Sequence, residues 1–262
     1  MKQIFIANWK MNLNVKESLD LVKKIDDSLK KNKDAEKNDT VVCPSFLSLW
    51  SINNYFNQKK SKIKLGAQNI FWEEKGAFTG EISPKMLKEV NCQYAIIGHS
   101  ERREHLWESD QMINQKVRTA LKFGLTPVVC VGETFEERKR GQRDSVIGRQ
   151  VGRALEGVKK NEFKKIIVAY EPVWVIGIGQ AVEPEDVAYS HHLIRKVLFK
   201  SYSQKIVDKD LRVIYGGSVN PDNIDSFICQ DGIDGVLVGS ASLEADKFVK
   251  MVKSFLCPKR KK

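Results

Sequence analysis

A single carboxylate, Glu171, stands at the end of the apolar run of residues 166–170. Loss of water around a carboxylate disfavours its charged form and raises its pKa, so such a group becomes a better base near neutral pH. Pro172 follows at once, and Gly177 and Gly179 come shortly after it. A stiff segment that carries glycines is suited to close over a site as one piece. A buried, salt-bridged glutamate before an ordinary long loop is the alternative interpretation.

Further groups suited to acid–base chemistry follow other apolar runs. Asn8 and Lys10 come at the end of the run that begins at Ile4, and their spacing of two places them on the same face of an extended segment. His99 follows the run of residues 94–97 and precedes a predicted helix start. Because N–H donors at a helix N-terminus disfavour another positive charge, we expect a neutral imidazole that donates a hydrogen bond to a carbonyl oxygen. A structural role for His99 and a surface position for Lys10 are the alternatives.

Two turns rich in small residues are typical of phosphate binding. The turn YGGSVNPDN contains Ser218, the turn VLVGSASL contains Gly239 and Ser240, and both lie between a strand end and a helix start. Backbone N–H groups and the helix dipole bind anions at such places, although either turn alone is more often an ordinary tight turn. The pair Gly177-x-Gly179 is no dinucleotide fingerprint, because the third glycine and the acidic residue are missing. No nicotinamide cofactor is therefore predicted.

Together these residues predict one class of reaction. A base, a neutral hydrogen-bond donor, a fixed cation and a phosphate cradle suit proton abstraction next to the carbonyl of a small phosphorylated sugar. A second enzymatic hypothesis uses the amine of Lys10 to form a Schiff base, as an aldolase does. A third hypothesis, from a different class, is a basic protein that binds nucleic acid.

The elements that must position these residues alternate regularly along the chain. Short β-rich runs alternate with amphipathic stretches, among them residues 16–31, 110–123, 184–201 and 240–255. Most of the runs are continuously apolar, as parallel strands buried on both faces are. The pattern predicts an α/β fold with a single (β/α)8 barrel domain over residues 1–262, whose chemistry lies at the C-terminal ends of the strands. Two doubly wound half-domains are the competing architecture.

The distribution of positive charge along the chain argues against a nucleic-acid partner. The chain has 262 residues and a formal net charge of +11, which attracts phosphorylated or polyanionic partners. The lysines are nevertheless scattered, apart from local crowding at residues 30–37 and in a short basic tail at about 257–262. They form no continuous basic face with stacking aromatic residues, so binding to nucleic acid is not predicted.

Cysteine spacing and hydropathy exclude other classes. The five cysteines have no metal-ligand spacing, so we expect no metal, reduced thiols and a cytoplasmic location. The first residues have neither a long apolar core nor a small-residue cleavage site, unlike a secretory signal. No apolar run approaches the length that crosses a bilayer, so no membrane partner is predicted.

Nine segments of the chain carry a resemblance to a known family, and they occur in the order of that family. They are residues 8–12, 66–69, 76–81, 96–103, 108–110, 126–134, 169–174, 214–223 and 234–243. Among them are the motifs NWKMN, GAQN, IIGHSERR, AYEPVW and IYGGSVNPDN. By these motifs the chain resembles the triosephosphate isomerase family over essentially its whole length.

The resemblance implies an activity and a set of roles. It implies interconversion of dihydroxyacetone phosphate and D-glyceraldehyde 3-phosphate through an enediolate, a step of glycolysis and gluconeogenesis that uses no cofactor and no metal. By the same match, Glu171 moves the proton between two carbons and His99 polarises the carbonyl. Lys10 and Asn8 bind substrate, and Glu101 supports Lys10 and His99. The phosphate is expected on the backbone N–H groups of Gly177, Ser218, Gly239 and Ser240.

The resemblance also implies a homodimer. The segment GAFTGE is similar to the protruding loop of the family, whose threonine, here Thr79, enters the partner subunit beside its catalytic residues. Single subunits should then be poorly active. The chain departs from the usual pattern of the lid and of the last phosphate turn at four positions, namely Val175, Ile178, Gln180 and Ser240.

Overall fold

The computed structural model describes residues 2–32, 35, 37–175 and 182–253. Within these residues, eight parallel strands pair in chain order, and the sheet closes because the first strand also pairs with the last. The predicted (β/α)8 barrel is therefore confirmed, and two half-domains are excluded. The strands are β1 (Ile4–Asn8), β2 (Asp39–Cys43), β3 (Lys64–Ala67), β4 (Tyr94–Ile97), β5 (Thr126–Val131), β6 (Ile167–Tyr170), β7 (Arg212–Tyr215) and β8 (Gly235–Val238).

Each strand is followed by one or two α-helices, which surround the barrel. They are α1 (Val15–Lys30), α2 (Phe46–Lys59), α3 (Pro84–Glu89), α4 (Ser100–His105), α5 (Asp110–Lys122), α6 (Phe135–Lys139), α7 (Arg143–Ala154), α8 (Pro184–Leu198), α9 (Gln204–Asp210), α10 (Ile224–Ile228) and α11 (Ala245–Lys253). The helix predicted over residues 240–255 differs from the structure, because a 3-10 turn at Ser240–Leu243 precedes α11.

The first helix shows how local sequence starts these elements. The Asn14 side chain accepts a hydrogen bond of 2.9 Å from the backbone N–H of Glu17, and the Glu17 carboxylate accepts one of 2.9 Å from the backbone N–H of Asn14. This reciprocal cap satisfies two N–H groups that the helix itself leaves without partners. Leu21, Val22 and Ile25 then recur at helical spacing and are buried against the barrel.

The strands are buried on both faces, which explains their continuously apolar sequences. In β1, Ile4 and Ile6 belong to the cluster that fills the barrel interior. Phe5 and Ala7 alternate with them and belong to the larger cluster between strands and helices. A barrel packed in this way is a rigid platform, and the residues that follow the strand ends keep fixed relative positions.

Burial holds three cysteines of the described residues in the thiol form. Cys43, Cys92 and Cys130 are free and buried, and burial raises the pKa of each thiol, that of Cys92 to about 12.

Two further properties of the described residues bear on function. None of their helices is long and apolar enough to cross a membrane. The same residues contain no group of three or more histidine, cysteine, aspartate and glutamate side chains placed to hold a metal ion.

A buried histidine makes the fold sensitive to acid. His191 of α8 is completely buried, its Nδ1 lies 3.2 Å from the carbonyl oxygen of Gly232, and its ring packs edge-on against Tyr170. Burial lowers the pKa of His191 from 6.5 to about 3. Below pH 6.5 the unfolded chain therefore binds a proton at this histidine, whereas the folded chain does not. The contribution of this group to the free energy of unfolding is fully present above that pH and is lost as the pH falls below it.

We predict that His191→Gln reduces the loss of stability on acidification. Each pH unit between 6.5 and the folded pKa costs the wild type about 1.4 kcal/mol through this group. Urea unfolding at pH 7 and pH 5 should give a difference in the free energy of unfolding that is about 2 kcal/mol smaller in the variant. The exposed neighbour His192 supplies the control His192→Gln. Equal acid sensitivity in His191→Gln and the wild type would contradict the assignment.

Candidate active site

A cavity of about 340 Å³ lies at the C-terminal ends of the strands. It brings together seven of the nine residues predicted from sequence, namely Asn8, Lys10, His99, Glu171, Ser218, Gly239 and Ser240. Glu101 reaches it through Lys10, whereas Gly177 lies outside the described residues. A cavity of similar volume, about 350 Å³, lies at the opposite end of the barrel and contains none of the predicted site residues.

The Glu171 carboxylate lies directly after β6 and is 2% exposed. Its Oε2 accepts a hydrogen bond of 3.0 Å from the backbone N–H of Ser100, and its Oε1 lies 3.1 Å from Nε2 of His99. Two glycines leave room for Glu171. A Cβ at Gly132 would lie 1.8 Å from the Glu171 carbonyl oxygen, and one at Gly216 would lie 2.9 Å from its Cγ. Gly132 therefore admits the main chain of Glu171, and Gly216 admits its side chain.

The His99 ring is oriented by its backbone surroundings. It follows β4 and caps α4, and its Nδ1 accepts a hydrogen bond of 3.3 Å from the backbone N–H of Glu101. A nitrogen that accepts in this way carries no proton, so the proton of the neutral ring is on Nε2. The Glu101 carboxylate is 3.5 Å from Nδ1 but pairs with Lys10. The Nε2–H group therefore faces Glu171.

Lys10 places a positive charge beside this pair. Its Nζ lies 2.5 Å from the Glu101 carboxylate, and its backbone N–H donates to the Asn8 side chain at 3.1 Å. The expected extended segment from Asn8 to Lys10 is wrong, since β1 ends at Asn8 and Lys10 has a φ of 51°. This left-handed conformation costs a non-glycine residue roughly 1–2 kcal/mol. Both side chains nevertheless line the cavity.

The opposite wall of the cavity is made of main chain. Gly216, Gly217 and Ser218 follow β7, and Gly239 and Ser240 follow β8. The 3-10 turn after β8 is closed by the Gly239 carbonyl oxygen, which accepts hydrogen bonds from the backbone and side chain of the same residue, Ser242. A wall of small residues with donors before a helical turn is suited to an anion such as phosphate.

A buried glutamate that the sequence analysis missed supports the wall near Glu171. Glu133 follows β5, is 0% exposed and accepts hydrogen bonds from the Tyr170 hydroxyl at 3.1 Å and from the Trp174 indole at 3.2 Å. Arg138 pairs with it at 3.3 Å. The signal in the sequence was an acid directly after an apolar run, which is the same signal that identified Glu171.

Comparison with known proteins agrees with this geometry. A sequence profile of the family described as triosephosphate isomerase matches residues 3–255. The chain belongs to the triosephosphate isomerase family. Triosephosphate isomerase of Dictyoglomus thermophilum is 47% identical over 253 residues, which cover 97% of this chain and 99% of the relative. The enzyme of Dehalococcoides mccartyi is 46% identical and covers 96% of both chains.

The fold is similar to that of solved members of the family. The crystal structure of triosephosphate isomerase from Bartonella henselae superposes with a TM-score of 0.82 at 33% sequence identity. The superposition covers 96% of this chain and 98% of that one. Family and fold therefore agree over nearly the whole length.

We predict that Gly216→Ala impairs turnover without unfolding the protein. The added methyl group would push the Glu171 side chain out of position, and a misplacement of about 1 Å costs roughly a hundredfold in rate. Gly152→Ala in α7 is the matched control, because a Cβ there meets no atom within 4 Å. Circular dichroism should show both variants folded, and steady-state kinetics should show a loss of kcat only in Gly216→Ala. Normal kcat in that variant would contradict the proposed crowding.

Proposed function

We propose that this chain interconverts dihydroxyacetone phosphate and D-glyceraldehyde 3-phosphate with Glu171 as the base and His99 as the donor to oxygen. The observation that carries these roles is the 3.1 Å contact between Oε1 of Glu171 and Nε2 of His99 at the wall of one small cavity. Membership of the triosephosphate isomerase family identifies the reaction as an isomerisation. The roles of the individual residues are the proposal.

Substrate binding replaces the contact between the two side chains. The Nε2–H group of His99 donates to the substrate oxygens, and the Glu171 carboxylate turns from Ser100 and His99 towards carbon. Glu171 removes a proton from C1 of dihydroxyacetone phosphate, and the electrons of the C–H bond form the C1–C2 double bond while the carbonyl oxygen becomes an enediolate oxygen. Proton exchange between the oxygens through His99 and return of the proton from Glu171 to C2 give the aldehyde.

Lys10 lowers the energy of the enediolate by its charge. A fixed cation beside a developing oxyanion is worth most in a site from which water is excluded. The ion pair with Glu101 and the hydrogen bond to Asn8 hold this lysine at the cavity wall. We assign Asn8 and Glu101 to support of Lys10, with Asn8 also placed to contact substrate.

The phosphate is assigned to the main-chain wall after β7 and β8. The backbone N–H groups of Ser218, Gly239 and Ser240 are the proposed donors on this wall. Gly177, the fourth predicted donor, lies outside the described residues and keeps its assignment from the family resemblance. Ser240 is exposed and lines the cavity.

The Schiff-base hypothesis is disfavoured by the surroundings of Lys10. An amine that attacks a carbonyl must be neutral. The Lys10 ammonium is instead paired with the Glu101 carboxylate at 2.5 Å.

A homodimer is proposed from the exposed apolar surface. Thr79 lies in the exposed segment of residues 76–81, next to Phe78. Most of the exposed large apolar side chains of the described residues lie on the part of the barrel formed by β1 to β4 and their helices: Met11, Val15, Leu47, Trp50, Phe78, Met86, Leu106 and Trp107. Such a surface marks a protein interface. Sedimentation equilibrium at micromolar concentration should show dimers, and a pure monomer would contradict the proposal.

Three broader assignments accompany the proposed function. We assign the whole chain, residues 1–262, to one barrel domain, with a basic tail at about 257–262 that lies outside the described residues. The enzyme is assigned to glycolysis and gluconeogenesis in the cytoplasm. Small phosphorylated trioses are its proposed substrates.

We predict that the wild type is active in a coupled assay and that Glu171→Asp lowers kcat by roughly a hundredfold or more, because the carboxylate retreats by one methylene group. Calorimetry should show nearly unchanged affinity for 2-phosphoglycolate, since the phosphate wall is intact. Glu104→Asp on the exposed face of α4 is the control and should behave as the wild type.

Two results would count against the proposed roles. Near-normal kcat in Glu171→Asp would remove Glu171 as the base. Absence of isomerase turnover in the wild type, together with a borohydride-trapped substrate adduct on Lys10 found by mass spectrometry, would favour the Schiff-base hypothesis instead.

A further inference from the structure

The backbone of Lys10 is held in a conformation that it would not adopt by itself. Four non-glycine residues of the described chain have positive φ, and among them only Lys10 lines the cavity. A residue in this region persists only when its surroundings over-determine it. The position of the ammonium group therefore depends on whatever holds the main chain of Lys10.

One side chain holds the carbonyl side of Lys10. The carboxamide nitrogen of Gln68 donates a hydrogen bond of 2.8 Å to the carbonyl oxygen of Lys10 and one of 2.9 Å to the carbonyl oxygen of Cys43. Both partners are acceptors, so only the NH2 end of the carboxamide can face them. Gln68 follows β3, Cys43 ends β2 and Lys10 follows β1, so a single amide group joins three strand ends.

The opposite side of the same residue is held by Asn8. Its side-chain oxygen accepts from the Lys10 N–H at 3.1 Å. Asn12 adds a hydrogen bond of 2.8 Å to the preceding carbonyl oxygen, that of Trp9. With Asn8 and Gln68, both peptide groups of Lys10 are anchored. Return to an ordinary negative φ would turn the side chain away from Glu101 and Gly239, its present neighbours.

We propose that Gln68 is a positioning residue for the reaction, and that it acts through the main chain of Lys10. It fixes the left-handed turn at Lys10 and thereby places the ammonium group against the enediolate and the phosphate. The inference rests on the proposed function of Lys10. A glutamate at position 68 would set a carboxylate oxygen against two carbonyl oxygens, so the role requires an amide.

A second side-chain amide, that of Asn114, is a control that distinguishes a positioning role of Gln68 from simple structural support. The Asn114 carboxamide nitrogen likewise donates to two carbonyl oxygens, those of Ala154 at 3.1 Å and Glu156 at 2.9 Å. Like Gln68, Asn114 is partly buried. It joins α5 to the end of α7 and does not line the cavity.

The experiment compares Gln68→Met with Asn114→Leu. Each variant loses two hydrogen bonds at nearly constant shape, so both should lose similar thermal stability. Only Gln68→Met should lower kcat/KM, by about tenfold, which is the scale of two neutral hydrogen bonds. The carboxylate of 2-phosphoglycolate resembles the oxygens of the enediolate beside the phosphate. Calorimetry with this ligand should therefore show a similar weakening of Kd in Gln68→Met and none in Asn114→Leu.

A double variant tests whether the effect passes through Lys10. Lys10→Met removes the ammonium group, so the addition of Gln68→Met to it should leave the Kd for 2-phosphoglycolate unchanged. Additive losses would overturn the proposal, as would wild-type kcat/KM and Kd in Gln68→Met. If that variant does not fold, Gln68→Glu with Asn114→Asp as its control gives the same comparison. Absence of turnover in the wild type would refute the proposed function. The Kd measurements with 2-phosphoglycolate would still test the role of Gln68.

Discussion

The structure depends on the burial of one negative charge. The Glu171 carboxylate is 2% exposed, accepts a hydrogen bond from the Ser100 N–H and has the His99 Nε2 at 3.1 Å. A buried charge without partners is strongly unfavourable, so these two polar neighbours stabilise the carboxylate where it lies. Their positions follow from rigid strands, since His99 and Ser100 come after β4 and Glu171 comes after β6. In the proposed reaction, substrate takes the place of Glu171 at His99 Nε2 and frees the carboxylate for proton transfer.

Much of the fold and the core of the site could be predicted from the sequence because both follow from period and topology. Continuously apolar runs separated by amphipathic stretches indicate a parallel sheet covered on both sides. Parallel strands bring their C-terminal ends to one edge of a barrel. Polar residues that follow different strands, such as Asn8, His99 and Glu171, therefore had to come together, and they line one cavity.

The contacts that complete the site depend on which distant backbone groups become neighbours, and local pattern does not encode this. The extended conformation expected for Lys10 is wrong because the hydrogen bonds to Asn8 and Gln68 hold it in a left-handed turn. The donation from Ser100 to Glu171 and the close packing of Gly132 against Glu171 cross between strands in the same way. The motif GAQN marked Gln68 as part of the family pattern but not as a partner of Lys10.

The most direct test of the account is isomerisation of D-glyceraldehyde 3-phosphate in D2O, followed by NMR of the product. If Glu171 carries the proton between carbons, part of the dihydroxyacetone phosphate made by the wild type should contain deuterium at C1, because the protonated carboxyl group exchanges with solvent. Glu171→Gln, with unchanged affinity for 2-phosphoglycolate, should lose turnover and deuterium incorporation together. Incorporation at the wild-type rate by this variant, or a wild-type product free of deuterium, would contradict the central claim.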